Sequence, residues 1–226
     1  MPRPWPQFAW LVLAALPATP LAGATVIDRI AVIVDKHIVK TSDIDRDLRT
    51  TEFLNHQPLD LSPDARRKSA ERLIDQSVIR EAIEKGAYPS AAPSDVDAML
   101  KQLIDSRFGS MDGGMDGGMA RFREELTRYG LTEDKLRLEL QWQLDVLKFI
   151  DQRFRPGVMV SDDEVRSYYN QHLAELQRQF PQAKTYEAME PKIRASLEGE
   201  RLNQNFDQWL AEARKRDHIE YKPGVF

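Results

Sequence analysis

The 226-residue chain contains no cysteine, which excludes disulfide bonds, thiolate metal ligands and a cysteine nucleophile. Histidine is sparse as well. The four present, His37, His56, His172 and His218, are scattered over a turn, a loop, a helix and a terminal strand, none at a recognised spacing from an acid that would make a metal site or a catalytic pair. Lipase-type G-x-S-x-G, zincin-type H-E-x-x-H, P-loop and Rossmann patterns are missing. Basic side chains are the minority charge, with 32 Lys+Arg against 36 Asp+Glu and a formal net charge of −4. They are interspersed with acids along the helices and gather on no face, which argues against nucleic acid as a partner. The sequence therefore points to no catalytic residue, no cofactor, no metal and no small-molecule substrate.

Long apolar runs are also scarce. The longest, Phe8 to Leu16, has nine residues, far short of the ~20 that cross a hydrocarbon core, and Pro17 and Pro20 prevent its extension. With Arg3 ahead of it and Ala22-Gly23-Ala24 behind it, residues 1–24 read as a cleavable secretory signal. A retained membrane anchor is the alternative. Cleavage leaves 202 residues beginning near Thr25 and, with Arg3 lost, a net charge of −5.

The remaining chain opens with the β-branched stretch Val26–Val34, then Asp35-Lys36-His37 and Ile38-Val39-Lys40, which predicts a short hairpin. Helices come next. Thr41-Ser42 with Asp43 and Asp45 starts one, Ser62-Pro63 starts a longer one ending at Gly86, and Ser94 with Asp95 and Asp97 starts a third over 94–108. A fourth runs from Phe122 to Tyr129 and stops at Gly130. Between the third and fourth, the tandem Met-Asp-Gly-Gly repeat of 109–119 is too rich in glycine for a helix or strand and reads as a mobile surface loop. Asp112 and Asp116 in that repeat lack the spacing of a calcium loop.

Thr132-Glu133-Asp134 caps a fifth helix, 132–155, whose apolar residues fall on two arcs when placed at ~100° steps. Leu136, Leu140, Leu144, Leu147, Ile150 and Phe154 form one arc, and Leu138, Trp142, Val146 and Phe149 the other. A single polar stripe, Arg137, Gln141, Asp145, Lys148 and Gln152, remains. The pattern predicts a central helix packed on both flanks, with a client-facing flank as the alternative. Ser161 with Glu164 has capping-box form and starts a helix through Leu176. After Pro181 a long helix runs from Tyr186 towards Asp217, with Ile193, Leu197, Leu202, Phe206, Trp209, Leu210 and Ala213 as its apolar face. The alternation in His218–Lys222 predicts a closing strand, unstable alone and a natural partner for the N-terminal hairpin. Paired acids such as Asp162-Asp163 and Glu124-Glu125 read as helix-start charges or solvated faces.

In this order the segments resemble the SurA family of periplasmic chaperones. Val26–Val34 with Thr41-Ser42-Asp43 is similar to the family's opening, Glu71-Arg72-Leu73-Ile74 to its ERLI segment, and Tyr129-Gly130-Leu131-Thr132 to its YGL junction. Val160–Val165 with Tyr168-Tyr169 is similar to the stretch that leads into a parvulin prolyl-isomerase domain. Here Gln177 to Lys184 leads almost directly to a segment like the family's closing helix and strand, so the isomerase is absent and no enzyme is expected.

The resemblance implies a mostly α fold with a small β element, a SurA-like or trigger-factor-like peptide-binding domain spanning 25–226. Its parts would be an N-terminal core over 25–160, a connector over 161–184 in place of the isomerase, and a closing helix and strand over 185–226. The implied function is an ATP-independent periplasmic holdase that binds unfolded outer-membrane or secreted polypeptides in an apolar cleft. Met99, Leu103, Phe108, Phe122, Tyr129, Tyr168 and Tyr169 are the client-binding candidates. The competing reading is a dimeric scaffold docking one dedicated periplasmic partner, and the short connector allows a homodimer made by swapping strands or helices.

Overall fold

The computed structural model describes residues 28–109, 114–182 and 185–226, with the side chains of 114–116 left aside. The signal segment 1–24 lies outside the described residues. Two strands, β1 (Ile30–Val34) and β2 (His37–Lys40), form the expected hairpin, and a third, β3 (Ile219–Tyr221), pairs antiparallel with the other edge of β1. The sheet order β2-β1-β3 thus ties the two ends of the described chain together within one molecule. Asp35, at φ 49° in the hairpin turn, fastens the junction: its N–H donates to His218 O at 2.9 Å and its carboxylate accepts from the His218 N–H at 2.8 Å.

Among the described residues seven helices come after the hairpin: α1 (Thr41–Asn55), α2 (Pro63–Lys85), α3 (Pro93–Arg107), α4 (Gly114–Arg128), α5 (Glu133–Phe154), α6 (Asp162–Gln179) and α7 (Tyr186–Arg214). Local chemistry sets most of their starts. Ser62, Thr132, Ser161 and Thr185 each accept the backbone N–H three residues on, at 3.3 Å, and Glu164 in turn accepts the Ser161 N–H at 2.8 Å. The start of α1 is held from outside the helix. Asp28 accepts from the Ser42 N–H and from the hydroxyls of Thr41 and Ser42, and the bonds from Ser42 hold its carboxyl below the usual range. At the far end of α4 the N–H of Leu131 bonds Leu126 O at 2.9 Å across Gly130, whose φ of +65° is the left-handed value that glycine adopts without strain.

The third helix, expected from about 94, starts at Pro93, with Asp95 accepting from the Ala92 N–H. One sequence expectation is corrected. The second half of the glycine-rich repeat is helical: α4 starts at Gly114, well before Phe122. Met119 packs on the core below, and the Arg121 guanidinium reaches Gly117 O. Gly118 lies so close to α3 that an added Cβ would stand 3.0 Å from Phe108 O. Packing against Phe108 thus offsets the roughly 1 kcal/mol per residue that glycine costs in a helix. Residues 110–113 of the repeat lie outside the described residues.

The described interior divides into four clusters. Ala31, Val32, Val34, Val39, Ile44, Leu48, Ala70 and Ile74 join the sheet to α1 and α2. Buried Ser69 lets these two helices approach, its hydroxyl 3.1 Å from Ile44 O. A second cluster gathers Phe53 of α1 with residues of α3, α4 and α5. A third is aromatic, with Phe149 and Phe154 of α5 against Phe206 and Trp209 of α7. The fourth, Val165, Leu176, Met189 and Ile193, holds α6 against the first half of α7. The helix expected from Ser161 is therefore present as α6, and with the first half of α7 it forms a helical hairpin with its own small core. Arg201 binds Glu164 at the root of this arm, and that bond, with those from Ser161, brings the Glu164 carboxyl down to about 2.

Candidate functional site

Helix α5 runs through the body and meets different neighbours along its length, with Ile150 and Phe154 of the first arc joining Phe149 of the second against α7. Leu136 and Leu140 enter the cluster with α1, α3 and α4, while Trp142 and Phe149 enter the one with α2 and α7. Its polar stripe faces protein as well. Arg137 pairs with Asp97 at 2.5 Å and Lys148 with Asp95 at 3.2 Å, both on α3. Asp145 accepts the Ala91 N–H at 2.6 Å, and Gln141 donates to Ala91 O at 3.1 Å. These bonds hold the start of α3 against α5, and α1 meets α5 through Phe53 while open space remains beside that contact.

That space is a groove with two lobes. The larger, about 720 Å³, lies between the end of α1, the middle of α3 and α5, with walls of Leu54, Met99, Leu103 and Leu140 and a rim of Asn55, Gln102, Ser106 and Gln143. The smaller, about 470 Å³, lies between β2, α1, α2 and α5 and is walled by Ile38, Leu73, Leu138 and Trp142. Thr50 and Glu139 line both lobes and so mark where they meet. Ile38 is 51% exposed and Leu138 71% exposed, large apolar side chains left open to solvent at the groove mouth.

The charged groups around the groove are mostly engaged with one another. Arg107 donates to Phe53 O at 2.5 Å with its guanidinium 4.6 Å from the Phe53 ring, and burial lowers its pKa. Arg80 lies 4.2 Å over the Trp142 ring, and Asp47 pairs with Arg72 at 2.5 Å. Glu139 is different. Burial pushes its carboxyl upward, the charge of Asp47 adds to the shift, and its hydrogen bond from Gln143 is long, at 3.5 Å.

The seven client-binding candidates fall into two groups. Met99 and Leu103 line the larger lobe, while Phe108 and Tyr129 pack at the edge of the cluster beneath it. Phe122 is fully buried against Phe53 and Phe108, where it supports the groove from below and offers no surface. Tyr168 and Tyr169 sit on the arm, one stacked on His172 with ring centroids 4.3 Å apart and the other edge-on to Tyr186. Sequence reasoning passed over Leu54, Leu140, Glu139 and Gln143. A signal for the last two existed: both fall within the apolar arcs of α5, off its polar stripe, where a polar side chain needs a reason to be.

Among solved structures, the chain matches one of two structurally related SurA-like chaperones of the human pathogen Campylobacter jejuni, the virulence factor PEB4 and the periplasmic protein Cj1289. The match covers 86% of this chain and 99% of the other, with a TM-score of 0.54 and 13% sequence identity. The fold is SurA-like. No family model matches the chain. No curated protein matches it. The SurA-like likeness thus rests on three-dimensional arrangement across nearly the whole neighbour.

Away from the groove of this SurA-like body, Asp35, Glu81 and Asp217 bring carboxylate oxygens within 4.8 Å of one another where the hairpin turn meets α2 and the end of α7. Burial first, then Asp35 and Glu81, push the Asp217 carboxyl up. An acid raised on folding destabilises the folded chain once it ionises, and the penalty is relieved as pH falls through the raised value. Asp217→Asn is expected to raise the melting temperature by about 1–2 °C at neutral pH, discounted for solvent exposure. Thermal unfolding followed by circular dichroism should show that gain fading towards the acid range where Asp217 is itself protonated.

Proposed function

We propose that the protein is an ATP-independent periplasmic holdase, a non-enzymatic chaperone that binds unfolded outer-membrane or secreted polypeptides along the α1–α5 groove. The observation that carries this reading is the groove itself: two adjoining lobes of about 720 and 470 Å³ with apolar walls and an amide-bearing rim. Its walls suit apolar side chains and its rim suits the peptide backbone, so many different polypeptides would be accepted. Met99 contributes a thioether that adapts to irregular partners. Ordering an unfolded segment in an open groove offsets much of what its contacts contribute, so association would be weak and reversible, as a holdase requires. The SurA-like fold supports the same reading. Residues 25–226 then form one chaperone domain with no isomerase, and Tyr168 and Tyr169 would provide a second apolar contact on the arm.

The test is suppression of aggregation of an unfolded β-barrel protein, expected at near-stoichiometric amounts of the mature chain. Leu103→Asp, which places a charge on the groove wall, is expected to reduce suppression several-fold. Leu147→Asp, at a position 59% exposed two turns along α5 from Leu140 and outside both lobes, is expected to leave it intact. No suppression at several-fold excess would refute the reading. Selective binding of one partner by a dimer, seen by light scattering, would support a scaffold instead.

A further inference from the structure

Glu139 occupies a position that the holdase reading leaves unused. It stands on α5 where the two lobes of the groove join, so an extended segment passing from one lobe to the other crosses its carboxylate. The charges of Arg80 and Arg72 reach it and oppose its upward shift, and Arg46 and Lys135 line the same lobe, but among the described residues none of them forms an ion pair with it. Arg72 pairs with Asp47, Arg46 with Asp43, Arg80 lies on the Trp142 ring, and Arg107 donates to Phe53 O. The contact that Glu139 does make is the long hydrogen bond from Gln143. Removing a carboxylate from water without a cation is unfavourable, and a cation brought by a ligand offsets the loss.

The apolar walls on both sides define the rest of the ligand. Leu54, Met99 and Leu103 bound one lobe, and Ile38, Leu138 and Trp142 bound the other. Resting on the polypeptide-binding reading of the groove, we infer that Glu139 anchors one lysine or arginine side chain of the bound segment, with apolar residues on both sides of it. The groove thereby selects extended segments with a single cation set among apolar residues over wholly apolar ones. Charge complementarity at one half-buried position supplies specificity, and the walls supply most of the contact.

The test uses two peptides with leucine and phenylalanine on both flanks, identical apart from a central lysine or its uncharged isostere norleucine, titrated into the full mature chain. Wild-type protein is expected to bind the lysine peptide about ten-fold more tightly than the norleucine peptide. Glu139→Gln is expected to bring that ratio to about one while binding the norleucine peptide at least as well. This variant should fold, because a neutral side chain removes the cost of burying the carboxylate, and its melting temperature is expected to match or exceed that of the wild type. Glu124→Gln, an exposed position on α4, controls for net charge and is expected to keep the ten-fold ratio. Equal binding of both peptides by wild type, or a ratio unchanged in Glu139→Gln, overturns the role of Glu139 and leaves the groove as a polypeptide site. Binding of neither peptide overturns both readings.

Discussion

Phe149→Ala is expected to destabilise the protein by about 3–5 kcal/mol, the range for deleting a fully buried phenylalanine. Phe149 is 0% exposed and sits at the centre of the aromatic cluster, with Tyr88, Phe154 and Trp209 around it at ring-centroid distances of 5.0, 5.8 and 5.3 Å. All three contacts are edge-on, the arrangement in which the positive rim of one ring meets the negative face of another. The loss reaches three parts of the chain at once, because these rings belong to the α2–α3 linker, α5 and α7. Leucine cannot reproduce the edge-on set, so Phe149→Leu should recover only part of the difference. Urea unfolding monitored by tryptophan fluorescence measures both variants, and a cost for Phe149→Ala below about 1 kcal/mol, the typical mutational effect, would contradict the packing described.

Arg214→Ala is expected to cost about 2–3 kcal/mol at neutral pH, since it leaves two part-buried carboxylates without their cation. Arg214 donates to Asp75 at 2.8 Å and also binds Glu71, which accepts from the Tyr221 hydroxyl at 2.6 Å. Burial works against the Glu71 carboxylate, but the hydrogen bonds from Tyr221 and Arg214 outweigh it and its pKa falls. Burial wins at Asp75, whose pKa rises despite the same arginine. The two acids therefore respond to pH in opposite senses. Glu71, depressed on folding, contributes stability above its unfolded pKa and loses it as pH drops through the folded one, whereas ionised Asp75 costs stability that is recovered as pH drops. Without Arg214 both carboxyls rise, so the deficit of the variant should shrink on acidification from pH 7 to about 5. Asp75→Asn in the Arg214→Ala background should recover part of the loss at pH 7, and a deficit independent of pH would show that packing, not charge, was lost.

Much of the architecture was legible because local rules and tertiary packing agree. Ser62-Pro63, Thr132 and Ser161 with Glu164 mark helix starts by side-chain chemistry that needs no distant partner. The alternation of His218–Lys222 was enough to place β3 beside the hairpin, since among the described residues no other strand offers it an edge. The second half of the repeat, 114–119, departs from the loop expectation because glycine content reports propensity alone, while Gly118 is helical for a tertiary reason, its approach to Phe108. The groove was only partly legible. Two arcs on α5 announce contacts on both flanks, yet where the neighbouring helices leave a groove open is set by contacts such as those of Asp145 and Gln141 with Ala91, which join positions 50 or more apart. Phe122 and Met99 look alike as apolar helix residues, and only the fold separates a floor from a wall.

The pairing of β3 with β1 has a consequence for how the chain folds. Val32 finds its partner in Tyr221 and Val34 in Ile219, so the first strand waits for residues far along the chain before its second edge is covered. Closing a loop of that length adds only about 0.6 kcal/mol per doubling to the equilibrium cost, but it makes completion of the sheet a slow, non-local step. Until β3 docks, the hairpin packed on α1 and α2 keeps one edge of β1 unpaired, and the fold becomes final only when that distant strand closes it.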